Sequence, residues 1–413
     1  TLYLHWSFTP AAIYTLPALM FAFAFYNMRL PFSLSSPLVP LIGEKNALKA
    51  SDAVDATNLF CLVAGMAASL ATGVLTLAGG LESQWGISSE PITWVLIGFT
   101  IVAAFILAAA SGLQRGVAAL SNFNMALFLF LAGYLLLWGP TTSTLTLSRL
   151  GLQDLFSTYV GKSLFLSFNA TDPWPKLWTV FYWSVWLAWA PMTAVFLGRI
   201  GVGYTVRAFV GVNLFIPALF ALVWMSIFGG TALSLELFHG AGLKTLLETK
   251  GSESLVYAVF HLFPGAVYII PVFLFTAFVA YVTGANSNTM AMASMSSHGM
   301  EAQDTEPALS MKILWGTVVG AVALTMLCLS GIGGIKTLSY LGGIPALFYE
   351  WLVGICLLRV ALRPRLFDKV SHVATDKALS PEPLLPLCPE QKPDIVLVSP
   401  DSPRQARGLV EQS

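Results

Sequence analysis

The chain has 413 residues and no net charge, with 21 basic and 21 acidic side chains; 56% of its residues are hydrophobic and only 10% are charged. Soluble proteins carry about a quarter charged residues, and a chain with a mean hydropathy of +0.74 lacks the polar groups to cover a water-facing surface. Composition therefore excludes a soluble domain and predicts an all-α polytopic membrane protein. It also excludes nucleic acid as a partner, since no basic stripe is present to neutralise phosphates.

The chain opens TLYLHW, without Met or a basic n-region, and runs directly into an apolar stretch; it reads as a piece whose upstream part is missing. A membrane helix needs roughly 20 mainly apolar residues. Runs of that kind lie near 11–28, 54–79, 91–112, 118–139, 177–198, 208–233, 264–285, 310–331 and 338–359. The segment Leu255–Phe263 is too short to span and is expected to form an interfacial amphipathic helix.

Positive charge sets the sidedness. Arg29, Lys45 and Lys49 follow the first run, Arg115, Arg199, Arg207 and Lys312 mark later inside connections, and Arg359, Arg363, Arg365 and Lys369 follow the last. That pattern puts the start outside and the C-terminus in the cytoplasm, in a multi-pass protein of the cell membrane. The triplet Asn169-Ala170-Thr171 then lies outside, as an N-glycosylation acceptor in a secretory host. Residues 363–413, proline-rich beyond about Lys369, are expected to form a disordered cytoplasmic tail in which Ser380, Ser399 and Ser402 precede proline.

Catalytic and metal chemistry leave no trace. Cys61, Cys328 and Cys356 sit in apolar runs, and Cys388 lies in the tail. His5, His239, His261, His298 and His372 are scattered without an HxxH or HExxH pair. No nucleophile–base pair stands out, so an enzyme is not expected.

One segment stands apart. In Leu177–Ile200, Trp183, Trp186 and Trp189 recur every three residues and Tyr182 precedes Trp186 by four, which makes one aromatic stripe on a helix. Spacing alone leaves two readings: core packing, or π faces for a cation. The string TVFYWxxWxxWxP, then RI, Gly203, Thr205, Arg207 and Phe209, resembles the betaine/choline/carnitine transporter (BCCT) family. Co-linear pieces extend the resemblance from about residue 4 to 362: His5-Trp6 with Ile13-Tyr14, Leu34–Lys45, Leu120–Met125, Trp224–Leu233, Thr283–Ser287 and Ser296–Gly299.

The resemblance implies an inverted five-helix-repeat transporter fold, neurotransmitter-symporter-like, with about nine of twelve spans present. The transporter domain would cover 1–362, with the first-repeat remainder at about 4–140 and the second repeat at about 176–362. It further implies secondary transport, by symport or exchange, of small quaternary ammonium solutes such as glycine betaine, choline or carnitine. Membrane lipid and a homotrimer are the implied partners, with Leu255–Phe263 as a contact helix.

Carried over by motif, Trp186 and Trp189 match two positions of the family's aromatic box, Trp183 a Trp one turn earlier, and Trp6 and Tyr14 rings from the other repeat. Val185 and Ala11 stand where the family has Trp, which makes the box smaller or the substrate different. Met192 stands where sodium-coupled members have an aromatic residue. Leu62 and Met66 replace two sodium-binding Thr, and Gly284 and Asn286 depart from the second sodium motif. Thr283 remains as the candidate ligand for sodium as coupling ion, or as a residue that merely bonds its own helix. The alternative function is a non-transporting, transporter-like receptor or interaction protein.

Overall fold

The computed structural model describes residues 1–110, 114–167, 171–297 and 307–369, and among these every regular element is helical. In chain order they are α1 (Leu2–Trp6), α2 (Phe8–Ala22), α3 (Val39–Ile42), α4 (Glu44–Trp85), α5 (Pro91–Ala110), α6 (Gln114–Trp138), α7 (Thr141–Ser163) and α8 (Trp174–Ile200). They continue with α9 (Val206–Val210), α10 (Ile216–His239), α11 (Leu243–Lys250), α12 (Leu255–His261), α13 (Ala266–Met295), α14 (Leu309–Leu362) and α15 (Pro364–Phe367). Asn169 and Ala170 of the glycosylation triplet, His298 and Gly299, and the tail beyond residue 369 lie outside the described residues.

Every expected apolar run falls in a helix, but the runs do not map one to one. Seven helical stretches are long and apolar enough to cross a membrane, and α8, bent by 48° between Trp174–Pro191 and Thr193–Ile200, makes an eighth. The runs at 310–331 and 338–359 share the 54-residue α14, which is interrupted at Gly331 with φ 53° and ψ −134°. A glycine takes that backbone conformation without a Cβ clash, and each limb exceeds the length of one crossing.

The central post is α4, which packs against α14, α8, α13 and α5. Lipid is as apolar as the side chains, so helices in it associate through close packing at small residues. The buried face of α4 supplies them: Ala64, Gly65, Ala67, Ala68, Ala71, Gly73, Ala78, Gly79 and Gly80. A Cβ at Gly65 would stand 3.2 Å from the backbone of Ala188 on α8, and one at Gly73 would stand 2.8 Å from the Tyr281 ring on α13. The second limb of α14 repeats the device. At Gly342 an added Cβ would reach 3.0 Å from both Ala188 and Ala64, and at Gly343 it would come within 2.5 Å of the Ser184 carbonyl oxygen. On the other side of α8, Gly198 faces Phe21 and Ala18 of α2.

Two elements differ from expectation. The interfacial helix is α12, and its apolar side is not spread on the membrane surface: Tyr257 and Phe260 are fully buried, and Tyr257 donates to the Thr76 carbonyl of α4 at 2.5 Å. These two rings are used within the chain. The helix α7 was not foreseen, because TTSTLTLS and Arg149, Asp154 and Lys162 give it no apolar run. Its hydroxyls bond to its own carbonyls and to α10, as Ser143 does to Ser234 at 2.5 Å.

Leucine at Gly343 forces α14 off α8 and is expected to destabilise the protein by roughly 1–3 kcal/mol, read as a lower unfolding temperature in detergent. Gly133→Ala on α6 is the control. No atom lies within 4 Å of an added Cβ there, so helix propensity makes it neutral or stabilising by about 0.5–1 kcal/mol.

Candidate functional site

The site is built where α1, α2 and α8 meet. A single non-helical residue, Ser7 (φ −102°, ψ −113°), separates α1 from α2, and its hydroxyl donates to the Tyr3 carbonyl at 2.6 Å. This break lets Trp6 and Tyr14, from two differently directed helices, converge on one ring of α8. The ring is Trp186. Its centroid lies 5.1 Å from Trp6 and 5.9 Å from Tyr14, with interplanar angles of 80° and 76°. Both pairs are edge-to-face contacts, so the three rings form one packed aromatic cluster. Trp6, 42% exposed, forms the open rim.

His5 closes the opposite side. Its ring stands 5.3 Å from Trp186, 5.5 Å from Tyr182, 5.8 Å from Trp178 and 6.3 Å from Phe181. Sequence reasoning quoted His5 only as part of a motif and passed over Trp178. The signal was present, because Trp174, Trp178 and Tyr182 form their own i, i+4 ladder, stacked at 6.1 and 5.1 Å. Inside the cluster, Trp186 Nε1 and His5 Nδ1 are buried without a hydrogen-bond partner. An orphan donor in such surroundings costs about 1–3 kcal/mol.

The tryptophan stripe does not stay together. Trp183 turns toward α7, where its Nε1 donates to the Ser163 carbonyl at 2.8 Å. Trp189, one turn past Trp186, lines a separate chamber of about 260 Å³ with Met66, Ser69, Phe105, Tyr281 and Asn288. A three-residue step rotates a helix by about 300°, so two such steps fan the three rings out over neighbouring partners instead of lining one wall. Met192 sits on α8 just past Pro191, and its side chain lies outside the described residues.

Thr283 lines a third space, a groove between α6 and α13, with Ser121, Asn122, Asn124, Asn286 and Ser287. Its hydroxyl donates to the Val279 carbonyl at 2.8 Å and lies 3.2 Å from that of Ala280. The groove is rich in oxygen: Asn124, 4% exposed, and Asn286 each hold a buried carboxamide oxygen with no donor. Ala280 and Gly284 line both the groove and the Trp189 chamber, and nothing lies within 4 Å of a Cβ built on Gly284. Among the described residues no cluster of His, Cys, Asp or Glu has the makings of a metal centre.

These aromatic and polar segments lie within a longer stretch that is similar to known carriers. Residues 1–364 match the family described as betaine/carnitine/choline family transporter. An ectoine/hydroxyectoine transporter of Virgibacillus pantothenticus is 29% identical, over 89% of this chain and 71% of its own length. A glycine betaine transporter of Bacillus subtilis is 30% identical, over 83% of this chain and 66% of its own. A high-affinity choline transport protein of Escherichia coli K12 is 29% identical, over 84% of this chain and 51% of its own. The chain thus spans between about half and seven-tenths of the length of these relatives. With the match running through all of its membrane helices, the chain belongs to the betaine/carnitine/choline family of transporters.

Proposed function

We propose that the chain forms the solute-binding part of a secondary carrier for small onium solutes, with the box at Trp186 as the cation subsite. The observation that carries the reading is the convergence of Trp6, Tyr14 and Trp186 at near-right angles around an unpaired indole N–H. A quaternary ammonium group has no N–H to donate, so dispersion and the negative faces of aromatic rings must hold it, at roughly 0.5–2 kcal/mol per desolvated ring. Trp186 Nε1 then offers its hydrogen to the hydroxyl or carboxylate at the other end of the solute. Relatives named for choline, glycine betaine and ectoine carry solutes with spread-out positive charge beside such an oxygen.

In this reading the solute moves from the box to the Trp189 chamber as the helices rearrange, and the cytoplasmic end is the one bearing Arg359 and Lys369. The break at Ser7 and the bend at Pro191 are where the two flanking helices flex, as broken helices do in carriers of this kind. Sodium, as co-substrate, would enter the α6–α13 groove. Its preference for oxygen ligands suits the Thr283 hydroxyl and the two unpaired carboxamide oxygens.

Tryptophan fluorescence titration of the purified chain with choline tests the box. Trp186→Ala should weaken binding roughly 2- to 30-fold, the equivalent of one ring. Trp186→Phe should recover part of the loss, and Trp183→Phe, which removes only the bond to Ser163, should leave affinity unchanged. Equal losses for Trp183 and Trp186 would instead make the stripe a packing feature.

The ion is tested by repeating the titration in sodium and in potassium salts. Sodium should tighten choline binding, and Thr283→Val should abolish the difference. Indifference of the unaltered chain to the cation would leave Thr283 bonded to its own helix and nothing more.

A further inference from the structure

The transport reading makes no use of Glu350. This carboxyl sits on the limb of α14 that follows Gly331, 9% exposed, with one oxygen fully buried and unpartnered. Beside it the hydroxyl of Tyr349, 6% exposed, is unpartnered as well. An ionisable group inside a membrane helix is costly to keep and marks a functional site.

Register shows what Glu350 faces. Gly343, two turns earlier on the same side of the helix, lies against Ser184 of α8, and Gly354, one turn later, lies against Leu16 of α2. The limb runs in the same direction as α8, since Phe181 meets Tyr340 and Ser184 meets Gly343 in that order. Glu350 therefore lies on the face of the limb that carries these contacts with α8 and α2.

Among the described residues no hydrogen-bond partner reaches the buried oxygen of this carboxyl. α2 offers Tyr14 alone, α3 and α5 nothing titratable, α13 Tyr268 and Tyr281, and α8 nothing between Tyr182 and Arg199. α4 brings Glu44, Lys45, Lys49, Asp52, Asp55, Cys61 and Glu82; Glu44 pairs with Lys369 at 3.8 Å, and Asp55 accepts the Leu34 N–H at 2.8 Å. On α14 itself Arg359 donates to the Pro40 carbonyl at 3.0 Å, and the buried Lys312 of the other limb, like Arg365 of α15, is engaged elsewhere. An unpaired carboxylate cannot be sustained in such a place.

We infer that Glu350 is an intramembrane proton site, holding a proton while α2, α8 and α14 are packed together and exchanging it when they part. The exchange is a simple acid–base step, carboxylic acid to carboxylate with the proton passing to water. Its link to the solute rests on the carrier reading above.

Infrared difference spectroscopy of the purified chain in lipid bilayers tests the site itself. At neutral pH the unaltered chain should show a protonated-carboxyl C=O band that is lost in Glu350→Gln and kept, shifted, in Glu350→Asp. Carboxylate bands in the same difference spectrum would overturn the inference. For the link, choline is added to a weakly buffered suspension while pH and tryptophan fluorescence are followed together. The unaltered chain should exchange protons as the fluorescence responds, and Glu350→Gln should bind without exchange. Binding without proton exchange in the unaltered chain would refute the link. No fluorescence response to choline, glycine betaine or ectoine would refute the carrier reading instead, and the infrared bands would then decide the proton site by themselves.

Discussion

Close approach of helix backbones at glycine and alanine is the constraint on which the rest of the structure depends. Within lipid there is no solvent to drive apolar faces together, so helices hold one another by contact. The small residues of α4 and of the second limb of α14 bring α4, α8 and α14 to within a side chain of each other. Once α8 is fixed in that way, its remaining faces are assigned. One meets α1 and α2 through Trp186, one meets α7 through Trp183, and one opens on the Trp189 chamber.

Function follows from what this packing leaves unsatisfied. The aromatic box buries an indole N–H and an imidazole nitrogen without partners, the α6–α13 groove buries two carboxamide oxygens, and the second limb of α14 buries a carboxyl. Native interiors satisfy nearly all such groups. Here the exceptions are spread over several helices, among them Trp186 on α8, Asn124 on α6, Asn286 on α13 and Glu350 on α14.

Much of this was legible in the sequence. Hydropathy located the long apolar helices, although the nine expected runs correspond to seven or eight candidate spans among the described residues. The Trp186 box was legible through the Trp-rich string and through Trp6 and Tyr14. The sequence could not say that Trp183 and Trp189 turn away from Trp186, since that depends on which neighbour each meets. Nor could it show the joined helix broken at Gly331, because one glycine among 34 carries no mark of a positive φ. α7 escaped because its stability comes from hydroxyls bonding its own carbonyls and α10, a source that hydropathy does not register. Glu350 was visible as a letter, but its isolation becomes evident only when the helices around it are placed.

The central claim is that positive charge on the solute is read by ring faces at Trp186. It is tested most directly by comparing choline with 3,3-dimethylbutanol, which has the same shape and hydroxyl but a neutral carbon in place of nitrogen. Calorimetric titration of the purified chain should show choline binding more tightly by roughly tenfold or more, the value of two or three desolvated cation–π contacts. Equal affinity for the two would mean that the box recognises shape alone, and the account would fail.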